Sequence, residues 1–251
     1  MSSTRVAIVN PQTLLGKEVQ DVLEPRLSSE VTLELYTTGT DEDSLLTEIQ
    51  GEAALIQPWD ETSMEDVVLA FLCGSFSEVK RVSEHLPAGC TGVVLAPGSG
   101  SEIGRPVVAG VNDHDLETGG VYVSPHPGAV ALALLLSGLA PLGVEDAAAT
   151  VVQPVSIYDE RGLESLFEET RSLLNFRESP AGSPFPAQAA FNVYPAGPDM
   201  PSLAPLVLDI VGGLRPKVNL LQGGIFHGLA VSLYVKLGTD AEEGKIASVL
   251  A

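Results

Sequence analysis

The chain has 251 residues, enough for one large domain or two small ones with a sizeable core. It is 45% hydrophobic and 18% charged, which is globular composition, and its 5% of aromatic residues leave the interior to Leu, Val and Ala. A formal charge of −20 argues against nucleic acid and anionic membranes as partners, because both are met by Lys and Arg replacing counterions.

Cys73 and Cys90 are the two cysteines, too few for a disulfide framework in a chain of this length. The opening stretch MSSTRVAIVN has no apolar run behind a basic flank, so the expectation is a cytoplasmic protein without signal peptide, membrane span or lipid anchor.

Arg5 to Val9 is a short β-branched apolar run, closed by Asn10-Pro11, and reads as a strand. Leu15, Val19, Val22 and Leu23 follow at helical spacing until Pro25. Val31 to Tyr36 alternates as a second strand, so the segment is a βαβ unit and the sheet is parallel. A dinucleotide fold has a glycine-rich turn after its first strand, where the backbone approaches phosphate. Here the turn is Asn10-Pro11-Gln12-Thr13-Leu14-Leu15-Gly16, with only the last glycine present. Pro11 is expected to hold Asn10 extended, and Thr13 places a branched side chain at the closest approach.

Residues 38–43 read as a polar loop, Ala53 to Gln57 as a strand, and Val67 to Leu72 as a buried strand before Cys73-Gly74-Ser75. A helix is expected over 77–85 and a strand over Val93 to Ala96, followed by a flexible loop, Pro97 to Ser101. Cys73 has no His motif nearby and reads as a packed residue rather than a nucleophile. Asp113-His114-Asp115 reads as a solvated loop.

Val121 to Leu139 organises the rest: a strand, a Pro-Gly turn, then a helix from Ala129 that is apolar on nearly every face and therefore buried. At a strand-to-helix turn the helix N-terminus can activate a nucleophile. This turn, Ser124-Pro125-His126-Pro127-Gly128, has no Cys, and no G-x-S-x-G elbow surrounds Ser124.

Ala147 to Val152 is a strand leading into Gln153-Pro154-Val155-Ser156. Residues 161–175 form an amphipathic helix with Leu163, Leu166, Phe167, Thr170 and Leu174 inward. Residues 179–186 and 196–205 are Pro-rich loops, with a strand over Ala189 to Val193 between them. A helix is expected over Leu206 to Leu214, then strands over Val218 to Leu221 and Gly228 to Leu237. In the last strand Val231, Leu233 and Val235 alternate with Ser232, Tyr234 and Lys236, so one face is buried and the other is wet or paired with another chain.

Six segments stand in a particular order and spacing: Val6 to Val19, Gly74-Ser75-Phe76-Ser77, Pro106 to Asn112, Gln153-Pro154-Val155-Ser156, Phe185-Pro186 with Ala190-Phe191-Asn192-Val193 and Pro195, and Gly224 to Gly228. Together, from Val6 to about Lys236, they resemble the aspartate-semialdehyde dehydrogenase family. The resemblance implies an α/β fold. A Rossmann-like NAD(P)-binding domain would cover 1–123, an α+β dimerisation domain 124–240, and a truncated C-terminal helix 241–251. It also implies a homodimer. In the family a thiolate attacks an aldehyde, hydride passes to NADP, and phosphate releases the acyl group, with a His moving protons and arginines holding substrate.

Carried over residue by residue, that chemistry is missing here. Pro127 stands at the nucleophile's place and Leu229 at the catalytic His; His227, two positions earlier, is read on the other side of a strand. Arg105 is out of register with one substrate arginine, and Arg215 is the loose counterpart of the other. Thr13, Gly16, Gly74 and Ser75 are what remains of a cofactor site. His126, Gln153 and His227 are candidates to line the old pocket, though a turn-bound His is the plainer reading of each, and no metal set is recognised. The expectation is a family member without catalysis and without cofactor, acting through its dimer sheet or a repurposed pocket. The competing expectation is an active NADP-dependent semialdehyde dehydrogenase of amino-acid biosynthesis.

Overall fold

The computed structural model describes residues 3–39, 46–49, 51–96, 98–178, 182–198, 200–238 and 243–250. Parts of the polar loop 38–43, the Pro97 loop, the two Pro-rich loops and the terminal segment 241–251 lie outside the described residues. The chain divides into two compact units, Met1–Arg105 with Leu116–Ser124, and Pro106–Asp115 with Pro125–Ala251. Residues 106–115, placed by sequence in the first domain, therefore pack in the second unit: Val108 is buried against Ala133 and Ile210.

The first unit contains β1 (Thr4–Val9), α1 (Leu14–Leu23), β2 (Val31–Thr37), β3 (Leu46–Ile49), β4 (Glu52–Pro58), β5 (Val67–Cys73), α2 (Phe76–Ser83), β6 (Thr91–Leu95), and β8 (Val121–Val123); β7 (Arg105–Pro106) is a two-residue strand at its boundary. Among the described residues the sheet runs β3-β4-β2-β1-β5-β6-β8-β7. β4, β2, β1, β5, β6 and β8 are parallel, and β3 is antiparallel to β4. Strand alternation explains the two cores. Ala7, Val9, Tyr36, Ala70, Leu72, Val94 and Val123 face Val79 and Val82 of α2. Ile8, Leu35, Ile56 and Cys73 face the other way, with Val19 and Leu23 of α1 packed against them. A sheet covered on both faces needs apolar residues at consecutive positions, which is what the runs at 6–9 and 67–73 supply.

The second unit contains α3 (Pro127–Leu139), β9 (Val144–Gln153), α4 (Asp159–Leu174), β10 (Val193–Pro195), α5 (Leu203–Val211), β11 (Lys217–Gly223), β12 (Ala230–Leu237) and α6 (Glu243–Leu250). Its sheet order is β10-β11-β9-β12, with β11 parallel and β12 antiparallel to β9. Ala129, Leu132 and Leu136 of α3 and Leu203, Leu206 and Val207 of α5 pack on Ala147, Ala149 and Val151 of β9. A Cβ on Gly128 would lie 2.9 Å from both Leu203 and Val151, so the glycine sets how closely α3 approaches. α6 packs on α3 at Gly138.

The alternation expected of β12 is present: Val231, Leu233 and Val235 join the core, and Tyr234 is 67% exposed. Other sequence expectations differ. Ala189 to Asn192 form a turn, and the strand begins only at Val193. α5 starts inside the supposed loop, with Pro205 in its first turn, where a missing N–H costs no helical bond. Phe167 and Leu174 of α4 are exposed, and its buried residues are Gly162, Leu166 and Glu169. Asn10 is not extended but has φ +57°. Asparagine tolerates that region, and its buried side chain is held from the ends of two neighbouring strands, at Cys73 and Thr38.

Candidate functional site

Three strand-to-helix turns hold most of the residues singled out from the sequence, two in the first unit and one in the second. In the first unit Thr13 is the N-cap of α1: its Oγ1 accepts from the Gly16 N–H at 3.0 Å. Its hydroxyl in turn donates to the Asn10 carbonyl at 2.9 Å. A Cβ on Gly16 would meet that carbonyl oxygen at 2.3 Å, so Gly16 serves the contact between α1 and the end of β1. Ser75 is the N-cap of α2 in a capping box: its Oγ accepts from the Glu78 N–H, and Glu78 Oε2 accepts from the Ser75 N–H at 2.9 Å. Gly74 has φ +126°, and a Cβ there would meet Asn10 Nδ2 at 2.7 Å. All four residues read as cofactor-binding thus have partners within the fold.

In the second unit His126 is the buried N-cap of α3, 3% exposed. Its Nδ1 accepts from the Gly128 N–H at 3.0 Å, which fixes the proton on Nε2. Nε2 donates to Gln153 Oε1 at 2.9 Å, and Gln153 Nε2 donates to Gln222 Oε1 at 2.8 Å. Gln222 Nε2 donates to the Gly223 and Gln153 carbonyls. Gln153 and Gln222 are register partners on β9 and β11 and are fully buried. The chain of donors is directional from ring to sheet. Burial lowers the His126 pKa below 6.5, opposed by the Gln153 bond, and this favours the neutral ring that the cap requires. Pro127 follows as the exposed first residue of α3, a position where proline's fixed φ suits the helix.

The structure brings His126 and Gln153 together and leaves His227 out. His227 and Leu229 both lie in the loop between β11 and β12, not in a strand, and residues two apart in a strand would have shared a face in any case. His227 is exposed, whereas Leu229 is half-buried against the core of the second unit. Arg105 and Arg215 are exposed. Cys73 and Cys90 are buried, and burial pushes the Cys90 thiol up to about 11. Ser99, in the loop read as flexible, is 1% exposed. His114 reaches Asp115 at 3.2 Å on the surface. Among the described residues no group of His, Cys, Asp and Glu could hold a metal, and no helix is long and apolar enough to cross a membrane.

Sequence reasoning missed Asn10, Glu78, Gln222 and Glu169. Glu169 had a signal: it falls three residues after Leu166 and four before Leu173, a carboxylate on the inward stripe of α4. Its Oε2 accepts from the Ala189 and Ala190 N–H groups at 2.8 and 3.0 Å. Asn10 gave none beyond an Asn-Pro stop.

The combination of a doubly covered parallel sheet with a four-stranded α+β unit defines an α/β class with a Rossmann-like first half. No family model and no curated protein matches the chain. Solved structures do. A probable aspartate-semialdehyde dehydrogenase from Pseudomonas aeruginosa superposes with a TM-score of 0.81 at 21% identity, over 99% of this chain and 78% of that one. Aspartate semialdehyde dehydrogenase II from Vibrio cholerae, complexed with ASA, gives 0.81 at 18%, over 99% and 79%. The enzyme from Francisella tularensis gives 0.79 at 12%, over 98% and 80%. The chain has the aspartate-semialdehyde dehydrogenase fold.

Proposed function

We propose that this protein is a non-catalytic relative of the aspartate-semialdehyde dehydrogenases, retaining their scaffold and acting as a self-associating or binding protein. The observation that carries the reading is Pro127. The residue at the nucleophile's place in the resemblance is a proline, which has no thiol, seated as the first residue of α3. A thiolate is needed to attack an aldehyde, and the chain's two thiols are both buried in the first unit's core. Loss of a covalent nucleophile from a catalytic unit costs about 10⁶-fold in turnover.

The same reading expects no NADP binding. Thr13 and Ser75 cap their own helices, and the diphosphate of a dinucleotide needs those helix ends open. Incubation with aspartate semialdehyde, NADP and no phosphate, followed by intact-mass measurement, is expected to leave the mass unchanged. An acyl adduct that disappears in Cys73→Ser or Cys90→Ser would contradict the reading.

Self-association is assigned to the wet face of the second unit's sheet, where Ser232, Tyr234 and Lys236 of β12 are exposed. Sedimentation is expected to show two chains per particle, and Tyr234→Asp is expected to shift that to one. A wild-type particle of one chain would refute the assignment.

A further inference from the structure

We propose that the ligand crevice of the first unit is closed from within by a polar bridge, Cys73–Asn10–Thr38–Glu78–Ser75, with the Glu78 carboxylate serving the helix end that an anionic ligand would otherwise serve. In a parallel sheet the crevice lies beyond the carboxyl ends of the strands, where the strand order reverses. In this sheet the reversal falls between β1 and β5: from β1 the chain builds outward through β2 and β4, then returns to add β5, β6 and β8 on the other side.

Asn10, the first residue after β1, lies across that point. Its Nδ2 donates to the Cys73 carbonyl at the end of β5, at 2.8 Å. Its Oδ1 accepts from the Thr38 N–H just past β2, at 2.8 Å. One buried amide therefore ties the ends of three adjacent strands, and its φ of +57° is the backbone setting that goes with it. The Thr38 hydroxyl donates onward to Glu78 Oε1 at 2.7 Å, and Glu78 Oε2 takes the Ser75 N–H and hydroxyl. Burial works against ionisation of Glu78, yet the hydrogen bonds from Ser75 and Thr38 hold its carboxyl below the usual range.

Gly74 supplies an independent fit. A Cβ there would meet Asn10 Nδ2 at 2.7 Å and Glu78 Oε2 at 3.1 Å. The glycine of this turn is needed by the bridge itself, so its presence does not signal a ligand. The other helix end at the crevice, that of α1, is likewise capped internally by Thr13. The bridge deepens the functional reading by naming what takes the cofactor's hydrogen-bond donors, and it rests on that reading only for the expected absence of NADP binding.

The test is thermal unfolding of the full chain with and without millimolar sodium sulfate, against sodium chloride at equal ionic strength. Glu78→Ala is expected to melt roughly 2–6 °C below wild type, as loss of a cap and its partners implies. Sulfate, itself an anion, is expected to restore most of that difference while moving wild type no more than chloride does. Glu78→Gln, which keeps an acceptor oxygen, is expected to fall between the two and carries the test if Glu78→Ala does not fold. An equal response of variant and wild type to sulfate, or no loss in either variant, would overturn the proposal. So would a saturable change in Trp59 fluorescence when wild type is titrated with NADPH; Trp59 donates its backbone N–H to Thr37, next to the bridge. An unchanged intact mass with a sulfate-insensitive Glu78→Ala would sink the bridge alone, whereas an acyl adduct with a sulfate-sensitive variant would sink the functional reading alone.

Discussion

Replacing Gln153 by Leu is expected to lower the free energy of unfolding by roughly 2–6 kcal/mol, because it strands two buried polar groups at about 1–3 kcal/mol each. Gln153 is fully buried and joins His126 to Gln222. Leu fills the space but leaves the His126 Nε2–H without an acceptor and Gln222 Oε1 without a donor. Urea unfolding at neutral pH measures the change, and a loss under about 0.5 kcal/mol, the scale of an ordinary surface substitution, would contradict it. The same network sets a pH signature. The folded state holds His126 neutral below its ordinary pKa of 6.5, while the unfolded chain takes up a proton there. Stability contributed by this group is therefore complete above 6.5 and is lost as pH falls below it, at most about 1.4 kcal/mol per unit. His126→Asn can still cap α3 and is expected to flatten that slope. A slope that persists unchanged would assign the pH dependence to another group.

Glu169→Leu carries the second large expected effect, roughly 2–6 kcal/mol, from two buried backbone N–H groups left without an acceptor. One carboxylate oxygen of α4 accepts from both Ala189 and Ala190, and this is what makes that stretch a turn. Ala189, Ala190 and Phe185 are buried in one cluster with Leu166. Glu169→Gln keeps an acceptor oxygen at the same place and is expected to cost less than about 1 kcal/mol. Equal losses for Leu and Gln would show that the charge, not the acceptor, matters.

Glu169 also marks where the sequence stopped being readable. The parallel sheet was legible because both its faces are buried, and a doubly buried strand writes itself as an unbroken apolar run, as at 6–9 and 67–73. α3 was legible for the same reason. The one-sided alternation of β12 was legible because period two has no other source. What failed were places where a polar side chain replaces a backbone partner. Residues 189–193 have strand-like composition, but Glu169, twenty residues away, claims the amides that a ladder would use. Asn10 was expected to be extended, since the rule for residues before proline is local, while its geometry is set by Cys73 and Thr38. Phe167 and Leu174 have the right helical spacing for a core and are nevertheless exposed. The candidate site divided in the same way. That residues 124–128 hold no Cys and residues 10–16 only one glycine is plain in the sequence, whereas Gln222 and Glu78 come from distant segments with no motif around them.

The account turns on chemistry being absent from an otherwise familiar scaffold. The measurement that bears on it most directly is the rate of phosphate-dependent NADP reduction with aspartate semialdehyde, for wild type and for the Cys73→Ser/Cys90→Ser double variant side by side. The account predicts no rate above the protein-free background for either. Turnover at an ordinary enzymatic rate, about 1 per second or faster, would contradict it, and its loss or survival in the double variant would show whether a thiol carried the reaction.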